Sequence, residues 1–203
     1  MTPAAAIGAW TPDDLPLIGE PLAVELANTL YGGGHDRIDF LASPRLIAMW
    51  FAHVPAAPRL PARMTPRDAE LLRGLRNATH ALIGRRVDGL PPSVTAVETL
   101  NRHAARGPRT LRLDVVAGGV RIGSSSTVRG IDAVLGHLAN EAITLLGGPD
   151  AARLRRCDHP ECTMAFVQQH RRRRWCHPSC GHRTRQASYY RRRVARAGRE
   201  GDR

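Results

Sequence analysis

The four cysteines of this 203-residue chain all lie in its last quarter, as Cys157-x4-Cys162 and Cys176-x3-Cys180 with thirteen residues between the pairs. Two close pairs joined by a short arm can bring four thiolates to about 2.3 Å from one tetrahedral Zn²⁺ ion. A shell of four sulfurs leaves no open position for a substrate, so such an ion stabilises structure rather than catalysing a reaction. The spacing therefore predicts one structural zinc ion bound by these four cysteines.

Two other uses of the cysteines stay open on the sequence alone. Four cysteines allow three disulfide pairings, although a reducing cytosol favours metal over disulfides. A mixed Cys/His site is the other alternative, because four histidines lie in the same segment: His159, His170, His177 and His182. We favour ligation by sulfur alone, since the cysteines already fill a four-coordinate shell.

Positive charge is concentrated in the same segment. Residues 1–150 carry 15 Arg against 14 acidic residues, a net charge of +1, whereas residues 151–203 carry 15 Arg against 4, a net charge of +11. All 30 basic residues are Arg; a GC-rich genome explains the choice of Arg over Lys but not the position of the arginines. Such a confined excess indicates a polyanionic partner, and guanidinium groups pair well with phosphate and guanine.

The arginines around the cysteines are therefore the predicted nucleic-acid contacts. They are Arg171, Arg172, Arg173, Arg174, Arg183, Arg185, Arg191, Arg192 and Arg193. The segment 181–196 lacks proline and suits a helix, on which Arg185, Tyr189, Arg192 and Arg196 would share a face. A basic tail that folds only on its partner is the alternative beyond Arg193. We expect the two large apolar side chains of the segment, Phe166 and Trp175, to form the finger core rather than to stack on bases.

The preceding region has the pattern of a helical domain. Leu22, Leu26 and Leu30 recur at a spacing of four and predict a helix that stops at the glycines 32–34. Ser43-Pro44 and Thr65-Pro66 each place a capping residue before a proline, which favours a helix start. Further helices are expected over 93–105, with Val94, Val97 and Leu100 inward, and over 131–145.

One stretch of this region has strand periodicity instead. Leu111, Leu113 and Val115 alternate with polar residues, and Val120 and Ile122 follow a turn at Gly118-Gly119. This pattern predicts a β-hairpin. The fold class is thus mostly α: a helical N-terminal domain with one β-hairpin, followed by a small four-cysteine zinc finger with a basic C-terminal helix.

The domain organisation follows from these signals. We expect an extended lead-in over residues 1–20, the mostly helical domain over 21–148, the finger and basic helix over 153–197, and a disordered tail over 198–203. The opening residues lack the pattern of a signal peptide, and no run approaches 18 apolar residues, so we expect a cytoplasmic protein that does not enter a membrane.

Residues 157–183 carry a family resemblance. The four cysteines, Phe166, the Arg-Arg-Trp-Cys run that ends at Cys176, and Cys180-Gly181-His182-Arg183 together resemble the CGNR zinc finger. This chain has His182 where the family motif has Asn. Upstream, the helix ending in Asn28-Thr29, the run 39–44 and Trp50 look like the ABATE domain that commonly precedes this finger. The resemblance implies a bacterial transcription regulator with its finger on DNA and an ABATE domain that senses a ligand.

The sequence therefore favours a non-enzymatic, zinc-stabilised protein that binds duplex DNA and regulates transcription. RNA binding by the arginine-rich finger is an alternative. A zinc-dependent nuclease using His170, His177 or His182, or a catalytic N-terminal domain, is a weaker one, since residues 1–150 carry no phosphate-binding loop or nucleophile motif. A homodimer is among the expected partners, because reading a palindrome requires two copies.

No effector site can be assigned from the sequence. Six polar residues of the N-terminal domain lie near apolar faces and could line a pocket: Asn28, Thr29, His53, His80, His103 and His137. Each is more readily explained as a helix cap, a satisfied core group or a solvated side chain.

Overall fold

The computed structural model describes residues 14–32 and 37–201, so the first thirteen residues of the expected lead-in lie outside the described part. In chain order the elements are α1 (Leu22–Asn28), β1 (Leu30–Tyr31), β2 (Ile38–Asp39), α2 (Pro44–His53), α3 (Pro66–Val87), α4 (Val94–Arg106), β3 (Thr110–Val116), β4 (Gly119–Ser125), α5 (Ile131–Gly147), a 3-10 helix (Pro149–Arg153), β5 (Leu154–Arg156), β6 (Ala165–Val167) and α6 (Pro178–Gly201). Strands pair antiparallel as β1 with β2, β3 with β4 and β5 with β6. The mostly helical fold class is confirmed.

Helices α2 and α3 begin where the capping signals place them. The Ser43 hydroxyl accepts a hydrogen bond from the Leu46 N–H at 3.3 Å, with Pro44 at the first helical position. Thr65 and Asp68 form a reciprocal capping box, with bonds of 3.1 and 2.8 Å between each side chain and the other residue's N–H. Because these bonds satisfy N–H groups that no helical carbonyl can reach, local sequence alone fixes both starts.

The first helix is shorter than its leucine spacing suggests. All seven residues of α1 are buried, but the helix ends at Asn28, and Leu30 lies in β1 opposite Asp39. The Thr29 hydroxyl donates to the Leu26 carbonyl at 2.7 Å, which satisfies an acceptor at the helix end. The prediction of a helix through Leu30 was therefore wrong: Leu30 continues the spacing of four but lies, half-buried, in a strand.

The predicted inward face of α4 was also partly wrong. Val94 and Val97 are 71% and 37% exposed, and the buried face carries Ala96, Leu100 and His103 instead. Gly107, the residue that follows α4, lies in direct contact with α5. A Cβ atom on Gly107 would lie 2.1 Å from the Asp132 carbonyl oxygen, so only glycine allows this approach.

The core of the helical domain continues into the finger. The main apolar cluster takes residues from each of the helices α1 to α5, including the fully buried Trp50, and it also includes Leu154 of β5 and Val167 of β6. Strand β5 packs on α3, and β6 packs on α1. The metal-binding segment is thus joined to the helices by a shared core rather than by a linker alone.

The predicted hairpin is present as β3–β4, with Leu113 opposite Ile122 and Val115 opposite Val120. Gly118 in its turn has φ +89°, a conformation that favours glycine. Within the described part of the chain, no helix is both long enough and apolar enough to span a bilayer.

Candidate metal centre and basic helix

The four cysteine sulfurs converge at one point. All four residues are buried, and their Sγ atoms lie within 4.8 Å of one another. The Cys176 Sγ is 3.7 Å from the Sγ atoms of both Cys162 and Cys180. Zn–S bonds of about 2.3 Å in a tetrahedron require S···S edges of about 3.8 Å. The sulfur cage therefore fits one zinc ion, and its cysteines are all free rather than joined as disulfides.

Two similar turns present these sulfurs. In the first pair, the Cys162 N–H donates to the His159 carbonyl at 2.9 Å, and in the second the Cys180 N–H donates to the His177 carbonyl at 3.1 Å. The Cys157 N–H donates to the Met164 carbonyl at 3.0 Å, which closes the first turn on the strand side. Each pair therefore has a fixed backbone, so the cage is preorganised for a metal.

The close approach of the four sulfurs shifts the pKa values of the cysteines in opposite directions. Hydrogen bonds from the neighbouring thiols lower the pKa of Cys157. The same interaction with Cys157 raises the pKa of Cys162 to about 12, and that of Cys176 is also raised. Four thiolates this close repel one another, and a bound Zn²⁺ would supply the charge that keeps all four deprotonated.

The Cys180-Gly181-His182-Arg183 run has a physical role at each buried position. Cys180 supplies a sulfur, and Gly181 lies against the Trp175 ring, where an added Cβ atom would be 2.9 Å from a ring carbon. Arg183 donates a hydrogen bond to the Cys180 Sγ at 3.2 Å, which offsets the negative charge of the sulfur cluster. His182 is exposed, so the departure from Asn at this position leaves the metal cage unchanged.

The histidines near the cysteines do not join the cage. Among the described residues, the group of candidate metal ligands contains cysteine sulfurs alone. His159 accepts a hydrogen bond from the Glu161 N–H at 3.2 Å, and His177 contacts the Ser179 hydroxyl at 2.9 Å. His170 and His182 are exposed. The geometry therefore fits four-sulfur ligation rather than a mixed site.

Phe166 and Trp175 both cover the metal centre. Phe166 is fully buried within the cysteine cluster, and Trp175 packs against that cluster while partly buried. Arg174 and Arg185 lie over the Trp175 ring at 5.8 and 5.7 Å from its centroid. These positions support the finger-core role predicted for both aromatic residues.

Arg173 points into the finger, in contrast to its neighbours. Its guanidinium group pairs with Glu20 at 2.7 Å and lies 4.5 Å from the Phe166 ring centroid. It also donates to three backbone carbonyls, those of Val167, Trp175 and Cys176. Such a saturated guanidinium is not available to phosphate, so we assign Arg173 a structural role. The sequence could not separate it from the other members of the run, because the four arginines are identical and consecutive.

The remaining predicted contacts lie mainly on the surface. Arg171 and Arg172 are exposed, and among the described residues neither has an ion-pair partner. Arg174 is exposed and pairs with Asp158 at 2.7 Å. Arg185 and Arg193 of α6 are exposed, and the Arg185 guanidinium also lies over the Trp175 ring. The side chains of Arg191 and Arg192 lie outside the described residues, although their backbone belongs to α6.

Asn28 joins the helical domain to the finger. Its amide nitrogen donates to the Ala165 carbonyl at 3.0 Å, and its amide oxygen accepts from the Ala165 N–H at the same distance. The Asn28 side chain thus pairs both the N–H and the C=O of Ala165 in β6. Glu20 extends this junction, because its carboxylate accepts from the Val167 N–H at 2.7 Å. Sequence reasoning missed the role of Asn28, since its partner lies 137 residues away.

Replacing Asn28 by alanine is expected to loosen this junction. The change leaves the N–H and C=O of Ala165 unpaired in a buried interface, at a cost of about 2–4 kcal/mol in the free energy of unfolding. Urea unfolding of the zinc-loaded chain measures the loss, and amide hydrogen exchange at residues 165–167 locates it. Asn101→Ala, at an exposed position of α4, is the matched control and should change stability by less than about 0.5 kcal/mol. Equal stability of the two variants would contradict this role of Asn28.

A second polar cluster lies behind α1. Arg76, which is 1% exposed, donates to both carboxylate oxygens of Asp39 at 2.8 and 2.7 Å and to the Thr29 hydroxyl at 3.1 Å. Burial alone would raise the pKa of Asp39, but hydrogen bonds from Arg76 and from the Leu41 N–H outweigh it, so the pKa lies below its usual value. The cluster ties α3 to β2 and to the end of α1.

An open cleft of about 450 Å³ lies beside this cluster. Arg37, Arg76, Asn77 and His80 are among its lining residues. Burial lowers the pKa of His80, and the nearby arginines lower it further. Ligand sensing by this domain stays a prediction. His53, His103 and His137 lie on three separate helices.

Taken together, the geometry defines a four-cysteine zinc finger whose strands pack on a helical domain. Residues 20–149 match the ABATE family, described as "putative stress-induced transcription regulator", and residues 153–193 match the CGNR zinc finger. The first match covers more than half of the chain, which therefore belongs to the ABATE family. Neither family is one of enzymes. No curated protein matches the chain. The four cysteines are thus the site of one structural zinc ion.

Proposed function

We propose that this protein is a DNA-binding transcription regulator that acts without catalysis, in the cytoplasm of a bacterium, and that α6 is its DNA-binding element. The observation that carries the proposal is a long basic helix whose first turn contains a zinc ligand. Cys180 lies two residues after the start of α6 at Pro178, so the metal fixes where the helix begins and how it is oriented. The family descriptions, a transcription regulator and a zinc finger, support the same function.

The dimensions and charge of α6 suit a DNA groove. Its 24 residues span about 36 Å, and the major groove is about 12 Å wide, enough to admit a helix. The helix carries seven arginines and a single acidic residue, Glu200: Arg183, Arg185, Arg191, Arg192, Arg193, Arg196 and Arg199. At 100° per residue, positions 185 and 192 share one face of the helix. This face can approach base edges while its neighbours pair with phosphates.

The turn before α6 supplies further phosphate contacts in this proposal. Arg171 and Arg172 are exposed, and Arg174 retains an exposed guanidinium beside Asp158. Arg173 is excluded, because its guanidinium holds the finger together. We therefore assign phosphate binding to Arg171, Arg172, Arg174 and the exposed arginines of α6.

Salt dependence tests this assignment. A finger that makes about six phosphate contacts should lose duplex affinity with a log–log slope near −5 against salt concentration. Replacing both Arg171 and Arg172 by glutamine should reduce the magnitude of the slope by about 2, because each lost contact contributes about 0.9. Fluorescence anisotropy with a random-sequence duplex measures the slope, and selection from a random DNA pool then identifies the preferred site.

The control removes the same charge elsewhere. Arg59 and Arg63 are exposed on the helical domain, so the double change of both to glutamine should leave the slope unchanged. Arg173→Gln should instead lower the stability of the finger. If both double variants reduced the magnitude of the salt slope equally, the net charge of the chain rather than the position of its arginines would determine duplex affinity. If single-stranded RNA displaced the duplex at equal concentration, RNA rather than DNA would be the target.

A further inference from the structure

The hairpin β3–β4 carries its apolar face outward. Leu111, Leu113 and Val115 of β3 lie on the same face as Val120 and Ile122 of β4, because residues opposite each other in an antiparallel pair share a face. These five side chains are 74%, 71%, 89%, 66% and 72% exposed, in that order. Strands of a soluble domain normally direct such residues to the core. The apolar face of this hairpin therefore lacks cover within the described part of the chain.

The opposite face of the hairpin is polar and already paired. Asp114 forms ion pairs with Arg112 at 2.8 Å and with Arg121 at 3.9 Å. The Asp114 side chain lies over Gly123 and is only 24% exposed, less than any of the five apolar side chains. The charged side chains of the polar face thus have partners within the hairpin, whereas the apolar side chains of the other face remain exposed to solvent.

The uncovered area is large for a monomer. With roughly 120 Å² exposed on each of five side chains, the face presents about 600 Å² of apolar surface, at the upper end of the 300–600 Å² found for the largest patch of a typical monomer. A standard protein interface buries about 800 Å² on each partner. The standard range extends down to about 600 Å² on each partner, so the hairpin face alone reaches its lower end.

We infer that the occupant of this face is the same face of a second copy of this chain. A two-fold contact places apolar residues on apolar residues without requiring any complementary charge. None of the five side chains is charged, and the Arg109 guanidinium at the edge of the face is already paired with Ser124 and Glu141, so the centre of the face offers a nucleic acid no positive charge. The chain carries a net charge of +12, and two copies repel unless they meet away from the basic finger. The hairpin lies in the part of the chain, residues 1–150, where the net charge is only +1.

The geometry of the hairpin suits such a contact. Each strand has seven residues and is about 23 Å long. Two hairpins packed face to face at about 10 Å would form a small four-stranded sandwich across the two-fold axis. Leu113 and Ile122 pair directly across the strands and lie near the middle of the face. We therefore place these two residues at the centre of the interface.

This interface is independent of the proposed DNA binding and can fail separately from it. If both hold, the dimer carries two copies of α6, which is the arrangement required to read two half-sites. The oligomeric state is measured without DNA, so a monomer that still binds duplex would overturn this inference and leave the proposed function intact.

The test is the mass of the zinc-loaded full chain in solution, by sedimentation equilibrium over the micromolar range. The wild type is expected at twice the 22.2 kDa of one chain. Leu113→Glu and, as a second variant, Val115→Asp are each expected at the mass of one chain, because they place a charge in the apolar face. Both positions are exposed, so the fold should persist, and circular dichroism and zinc content verify it.

Arg121→Glu is the matched control, since it introduces the same side chain on the opposite face of the same hairpin. It should remain a dimer. A wild type of single-chain mass across the range would overturn the inference. So would a dimer that persists in both apolar-face variants, or one that Arg121→Glu disrupts as strongly as Leu113→Glu.

Discussion

Replacing Cys176 by serine is expected to remove zinc from the chain and to unfold the finger. The Cys176 Sγ lies 3.7 Å from two other sulfurs, so its loss opens the centre of the cage. Structural zinc in small fingers is worth about 10–16 kcal/mol, which matches or exceeds the whole stability of a typical domain at 5–15 kcal/mol. Metal analysis should change from one zinc per chain to none, and duplex DNA binding should disappear.

The loss should reach the helical domain as well. Leu154 and Val167 belong to the main core, so unfolding of β5 and β6 exposes the buried face of α1. Hydrogen exchange should therefore accelerate in α1 as well as in α6. His177→Ala, next in sequence to Cys176, is the matched control and should retain one zinc per chain, because His177 contacts Ser179 rather than the cage. A zinc-free Cys176→Ser chain with wild-type protection would show that the metal does not hold the finger together.

The features that the sequence predicted well are local ones. The zinc cage follows from the spacing of four cysteines, and the starts of α2 and α3 follow from capping bonds within three residues. The basic helix was also recognised, and it continues to Gly201, so residues 198–201 of the expected tail are helical; residues 202 and 203 lie outside the described part. In each of these cases the physical cause acts between close neighbours in the chain.

The features that sequence analysis missed depend on distant partners. Arg76 lies between Leu72 and Thr79 on the buried face of α3, and its charge is accommodated there because Asp39, 37 residues earlier in the chain, pairs with it. Arg173 looks like a phosphate ligand until Glu20 is placed beside it. The exposed hairpin face has the same cause: its alternation predicted the strands correctly but could not indicate that no helix in the described part of the chain covers this face. Periodicity identifies an apolar face, whereas topology decides what packs against it.

The residues behind the ABATE resemblance have a common structural role. Asn28 pairs with β6 of the finger, while Thr29 and Asp39 both bind Arg76 behind α1. These side chains fix the position of α1, the helix on which strand β6 of the finger packs. A change at the Arg76 cluster can therefore alter the position of the finger through α1, which gives the helical domain a direct physical connection to the metal site.

Replacing Arg76 by methionine is expected to destabilise the chain by about 3–5 kcal/mol, the range measured when one partner of a buried ion pair is removed. The Arg76 side chain is 2% exposed and makes hydrogen bonds to Asp39, Thr29 and Asn77. Methionine fills a similar volume but leaves the carboxylate of Asp39 and the Thr29 hydroxyl without this donor. Urea unfolding of the zinc-loaded protein measures the change in free energy.

Arg73→Met is the matched control, one turn earlier on α3. Among the described residues, Arg73 donates one hydrogen bond, to the Leu41 carbonyl at 3.2 Å, and its replacement should cost about 1 kcal/mol. The double variant Arg76→Met/Asp39→Asn should recover part of the loss, because it removes the unpaired carboxylate together with its partner. Equal costs for Arg76→Met and Arg73→Met would show that the buried pair adds no stability. A double variant no more stable than Arg76→Met alone would assign the loss to packing around the arginine stem rather than to the unpaired charge.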